Sequence, residues 1–273
     1  MKSKDIIIDG VRTRYLTDGI ESQEAVLFVH GNPGSSGDWI NIIPVIAESY
    51  YVIAPDMPGF GRSEKPASFS YNLDGYALHL DALLSKLKIK KAHLILHDFG
   101  GGWGLSLACL KPACVASITL INIGVMRDYK WHYAASIWRK PIIGEMWMRL
   151  LNRKTFRKAL RSEKIPEKFI DEMYDNFDED TKRAVLRLYR ATNLSNKLAE
   201  KMSNKLSKIN VPTLIIWGKK DKFLHYSHAE TQKNVFKNPK IVYFDDSGHW
   251  PFLDSPDDFE KYLTSFLEHK SID

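Results

Sequence analysis

Residues His93 to Gly104 read HLILHDFGGGWG. The apolar run Leu94 to Leu96 has the length and composition of a buried strand, and a helical pattern begins near Trp103. Between them, Asp98 followed by glycines makes a sharp strand-to-helix turn that sets one carboxylate at the edge of a sheet. Alone, such an Asp reads equally well as a helix cap. As a nucleophile it is already ionised at neutral pH, so it needs no base to attack a carbon bearing a leaving group. The product of that attack is an alkyl ester on the protein. This narrows the chemistry toward opening carbon–halogen or strained carbon–oxygen bonds rather than ordinary ester cleavage.

Outward from this turn, short apolar runs recur with turn signals and helical stretches between them. They are Ile6 to Ile8, Val26 to Val29, Tyr51 to Ala54, Ile118 to Ile121, Leu214 to Trp217 and Ile241 to Phe244. Helical patterns fit Trp39 to Glu48, Leu73 to Leu87, Trp103 to Leu110 and Asp257 to Leu267. The alternation predicts an α/β protein with a mostly parallel sheet covered on both faces, whose site lies at the carboxyl ends of the strands. It stops after Ile121, and the chain from about Val125 to Ser207 reads as helices only. The expected division is a core of residues 1–124 and 208–273 with a helical cap, residues 125–207, inserted into it.

Four of the expected strand ends carry chemically suggestive residues: His30-Gly31-Asn32-Pro33-Gly34, His97-Asp98-Phe99-Gly100-Gly101, Gly218-Lys219-Lys220-Asp221 and Asp245-Asp246-Ser247-Gly248-His249-Trp250-Pro251. Nucleophile, acid and base thus follow in chain order at one sheet edge. As a set, HGNPGSSGDW, APDMPGFGRSEKP, HDFGG, WGKKD and SGHWPF resemble the α/β-hydrolase fold proteins of the epoxide hydrolase and haloalkane dehalogenase group, over nearly the full chain. The resemblance implies Asp98 as nucleophile, His249 as base, Asp221 as the acid that orients it, and an oxyanion hole from the backbone N–H groups of Asn32 and Phe99. The family sometimes places its acid after the preceding strand, where Asn122 stands here; Asn cannot supply that charge. Asp245 and Asp246 read as turn residues.

The two substrate classes need different helpers. Epoxide opening needs an acid for the ring oxygen, and Leu188-Tyr189-Arg190-Ala191-Thr192-Asn193 resembles the cap segment that carries a proton-donating tyrosine in the family, which makes Tyr189 the candidate. A second donor is Tyr129 or Tyr133. Dehalogenation needs donors for a departing halide, and Asn32 resembles the halide-binding asparagine of dehalogenases. Leu96 is bulky as in their elbows, where epoxide hydrolases usually have glycine. Against this, Phe99 stands where dehalogenases of this type have a Trp whose indole N–H holds the halide. Trp103, Trp131, Trp138 and Trp147 could supply such a donor from elsewhere. Epoxide hydrolysis of a small apolar substrate is the favoured reading, with dehalogenation, ester hydrolysis and a non-catalytic small-ligand sensor as alternatives.

Composition bounds the rest. The 273 residues carry a net charge of +6, and residues 127–168 hold twelve Lys or Arg against four acids. That basic stretch reads as a solvated face. No apolar run reaches the roughly 18 residues that cross a membrane, and the expected location is cytoplasmic. The partner expected is a small-molecule substrate, with no nucleic acid and no membrane contact. No cofactor or metal is expected: the third glycine position after Gly100 and Gly102 is Leu105, which breaks a dinucleotide fingerprint, and His225 and His228 lack a third ligand in a recognisable spacing. Cys109 and Cys114 read as reduced, buried thiols.

Overall fold

The chain folds around one eight-stranded sheet whose strands are β1 Lys2–Ile8, β2 Val11–Asp18, β3 Ala25–Val29, β4 Tyr51–Pro55, β5 Ala92–His97, β6 Val115–Ile121, β7 Thr213–Gly218 and β8 Lys240–Phe244. The structure is a computed structural model that describes residues 1–268. The strand order is β1-β2-β4-β3-β5-β6-β7-β8, antiparallel through the first three of these and parallel from β4 to β8. β3, β5 and β7 are buried along their whole length, as expected for parallel strands covered on both faces.

The first hairpin departs from the sequence reading, which identified Ile6 to Ile8 alone. Ile8 pairs with Val11 across Asp9 and Gly10, both at positive φ (48° and 82°), the backbone that a two-residue hairpin turn requires. In β2, Val11, Thr13, Tyr15 and Thr17 face inward while Arg12 and Arg14 face out. The signal is a clean period of two, diluted by charge.

Two helices also differ. The helix after β5 is Phe99–Leu110 and begins directly behind Asp98, not near Trp103. In place of one helix over Trp39 to Glu48 there are a 3-10 turn, Ser36–Trp39, and a separate short helix, Ile43–Ile46, whose first turn holds Pro44. Proline has no N–H to continue a preceding helix and sits comfortably only at a helix start. Helices Leu73–Lys86 and Pro256–Leu267 lie close to their expected bounds.

Between β6 and β7 the chain forms helices Tyr133–Trp138, Ile143–Leu150, Arg153–Leu160, Glu167–Asp175, Glu179–Ala191 and Asn196–Leu206. Several of their starts are marked by side-chain caps: Asn152 accepts from the Thr155 N–H, Asp178 from Thr181 and Ser195 from Leu198. Cys109 and Cys114 are free and half-buried rather than buried.

Candidate active site

Asp98 sits at the carboxyl end of β5 with φ 49° and ψ −125°, a conformation that costs an L-residue strain and turns its side chain out of the sheet edge. Oδ1 accepts the Asn32 backbone N–H at 2.8 Å. Oδ2 lies 3.5 Å from His249 Nε2. Burial opposes ionisation of this carboxyl, but the hydrogen bond and charge of His249, with lesser help from His97 and the Asn32 N–H, hold it down to about 2.

His249 follows β8 and is buried. Its Nδ1 lies 2.7 Å from Asp221 Oδ2. Burial alone would lower its pKa; Asp221 first and Asp98 second reverse that and raise it to about 10, so the resting ring is an imidazolium between two carboxylates. Asp221, after β7, is the better anchored of the two. Its Oδ1 accepts the Phe223 and Leu224 N–H groups at 2.7 and 2.9 Å, and its Oδ2 accepts Asn122 Nδ2 at 2.6 Å.

Asn122 occupies the strand end where the alternative acid would stand. Fully buried at φ 49°, it spans three loops: besides Asp221, its amide donates to Gly248 O at 3.2 Å and accepts from the Gly218 N–H at 3.1 Å. The sequence reading set it aside because it lacks charge; here it orients the charge supplied by Asp221. Two further supports of the His249 loop had no sequence signal. His97 Nε2 donates to His249 O at 2.8 Å, and burial holds this ring neutral with a pKa of about 3. Glu163, buried although it belongs to the helical insertion, accepts the His249 N–H at 3.0 Å.

Of the remaining expected residues, Tyr189 is buried on helix Glu179–Ala191, and its Oη accepts from Asn32 Nδ2 at 3.3 Å. Burial, reinforced by the Asp98 charge, lifts its pKa well above the phenol range, so it keeps its proton. Tyr129 faces the same space, whereas Tyr133 is turned to solvent. The Phe99 N–H, at the first helical position, makes no hydrogen bond to Asp98 among the described residues, so of the two expected backbone donors only Asn32 engages the carboxylate. The Phe99 ring packs edge-on against Tyr189 with centroids 5.0 Å apart. Asp245 and Asp246 pair with Lys219 and Lys220 at the surface.

Asp98 and His249 open onto a cavity of about 470 Å³ whose wall is mostly apolar and aromatic, including Phe99, Trp131, Trp138 and Tyr189, with Asn32, His132, Thr155, Thr192 and Ser195 as polar members. A charge held in a mostly apolar pocket beside a fixed donor suits a displacement at carbon followed by hydrolysis.

Comparison with known proteins agrees with this architecture. An AB hydrolase superfamily protein of Bacillus subtilis is 27% identical, with 99% of each chain covered. Among solved structures, the epoxide hydrolase CorEH superposes with a TM-score of 0.83 at 21% identity, covering 98% of both chains. A haloalkane dehalogenase from Agrobacterium tumefaciens gives 0.82 at 21% identity, covering 98% of this chain and 96% of that one. The family described as the alpha/beta hydrolase fold matches residues 24–256, and with the sheet order and strand-end loops above, the chain belongs to the α/β-hydrolase family.

Proposed function

We propose that this protein is an epoxide hydrolase that works through a covalent ester on Asp98, with the helical insertion acting as the cap that closes the cavity. Asp98 Oδ2 attacks a ring carbon as the carbon–oxygen bond breaks, and Tyr189 gives its proton to the departing oxygen. Oδ1, held by the Asn32 N–H, becomes the ester carbonyl oxygen. His249 then takes a proton from water, the resulting hydroxide adds to the ester carbon, and collapse releases a diol and restores the carboxylate.

The first step prepares the second. The high pKa of His249 rests on Asp221 and Asp98 together. Esterification consumes the Asp98 charge and leaves a Tyr189 phenolate; the imidazolium, having lost one of its two partners, gives up its proton, that proton restores the phenol, and the neutral ring can then act as a base.

The observation that carries the epoxide reading is the Asn32–Tyr189 hydrogen bond. The amide donates into the phenol oxygen, which leaves the O–H proton uncommitted and supports the negative charge that develops when it is given away. Leu96, a dehalogenase-like feature, has a packing explanation: its side chain fills the space where a Cβ on Gly104 would stand. One observation favours dehalogenation instead: the Trp138 indole N–H on the cavity wall is buried without an acceptor among the described residues.

The test is His249→Gln protein incubated with an epoxide panel and a haloalkane panel. A covalent adduct on Asp98, read by intact mass, is expected from the epoxides. Diol release by the unmutated protein supports the first reading and halide release the second. No adduct from either panel removes Asp98 as nucleophile, and ligand-induced melting shifts without turnover would make the protein a sensor.

A further inference from the structure

Helix Ile143–Leu150 turns one face inward, where Gly144 and Met148 are buried and Leu151 follows. Its opposite face is Ile143, Met146, Trp147 and Leu150, the i, i+3, i+4, i+7 spacing of a second apolar stripe. Among the described residues that stripe is largely open: Ile143 is 51% exposed, Met146 60%, Trp147 39% and Leu150 75%. Tyr133 (75%) extends it, with its ring 6.3 Å from that of Trp147, and Ile142 (73%) sits at the helix start. Six of the thirteen exposed large apolar residues among those described fall within these eighteen positions, so they form a patch and not a scatter. Ile142 is also held at φ 68°, a strained conformation for a β-branched residue, and its side chain gains no packing in return.

The patch has a charged border. Lys140, Arg149 and Lys154 flank it, all exposed, and none of the three has a carboxylate partner among the described residues, unlike Arg153, Arg157 and Arg190 nearby. A two-fold contact between copies would set this patch against itself and bring like charges together. An anionic bilayer surface supplies both what the apolar stripe and what the cations lack. Trp147 and Leu150 also line the cavity over Asp98, so the patch reaches the edge of the site.

We propose that this face docks on the anionic surface of a phospholipid bilayer, with the helix lying in the interface. Reading the basic stretch as a plain solvated face leaves its exposed apolar stripe unaccounted for. The docking stands apart from the epoxide reading, because it is measured without turnover.

The experiment is flotation of the full chain with phosphatidylglycerol–phosphatidylcholine vesicles and with pure phosphatidylcholine vesicles, at low and high salt. The expected result is binding to the anionic vesicles that weakens with salt. Ile143→Glu/Met146→Glu should lose about a hundredfold in partitioning, and Lys140→Gln about fivefold, both with an unchanged melting temperature. Absence of flotation, or flotation equal in the double variant, overturns the proposal. So does a dimer in size-exclusion chromatography that the double variant converts to monomer, since that assigns the face to a second copy.

Discussion

The two walls of the cavity are built on opposite terms. On the sheet side, Asp98, His249 and Asp221 have their side-chain polar atoms engaged, and Asn122 ties the loops after β6, β7 and β8 to one another. On the side of the insertion, buried polar atoms are left over: the Trp138 indole N–H and the Thr192 hydroxyl have no partner among the described residues, and the Tyr189 O–H accepts without an assigned acceptor for its own proton. The bonded triad is set for a reaction, although Asn32 Oδ1 and the Trp250 indole N–H beside it are also buried without a partner among the described residues; unused donors on a wall wait for a ligand to define them. On the proposed function, the Asp98, His249 and Asp221 cluster comes from the core, whereas the proton donor that would select the substrate class, Tyr189, comes from the insertion.

That division can be broken at its sharpest point by Tyr189→Phe, which keeps the ring packing and removes the O–H. Epoxide turnover should fall on the order of a hundredfold, while any haloalkane turnover stays unchanged; equal loss on both substrates would mean that the residue serves the core machinery. Asn122→Ala tests the opposite wall. It strips a charge-assisted hydrogen bond worth about 1.5 to 3 kcal/mol from Asp221, so kcat should drop roughly ten- to a hundredfold on every substrate alike. A substrate-dependent loss would blur the boundary. The smallest effect is expected at Glu163, where the insertion touches the core. Glu163→Ala leaves the buried His249 N–H unpaired, and thermal unfolding should register about 1 to 3 kcal/mol of lost stability, with a smaller loss of turnover than Asn122→Ala. An unchanged melting temperature would show that the two walls are independent there.

Much of the core wall was legible because each of its parts is local. A strand, a turn and one reactive side chain occupy a few consecutive residues, as in HDFGG or SGHWPF, and parallel topology brings such strand ends to the same edge. β2 was missed although its alternation is regular, because Arg12 and Arg14 lower its apolar content and the pairing that explains them is with β1 and β4. Tyr129 and Tyr133 were indistinguishable as letters; one lines the cavity and the other points to water. Glu163 could not have been found at all, since a lone acid in a basic stretch reads as surface until its partner, 86 positions away, is seen.

The sequence by itself determined most of the sheet, the carboxylate on its elbow and the placing of Asp98, Asp221 and His249 at successive strand ends, because short-range periodicity and turn chemistry are written in neighbouring residues. Only the tertiary structure decided which groups those side chains meet. Asn122 gripping Asp221, Asn32 donating to Tyr189 and the uncovered stripe on helix Ile143–Leu150 all depend on residues distant along the chain. A helix that is apolar on two faces has no local mark to say which face will find a partner.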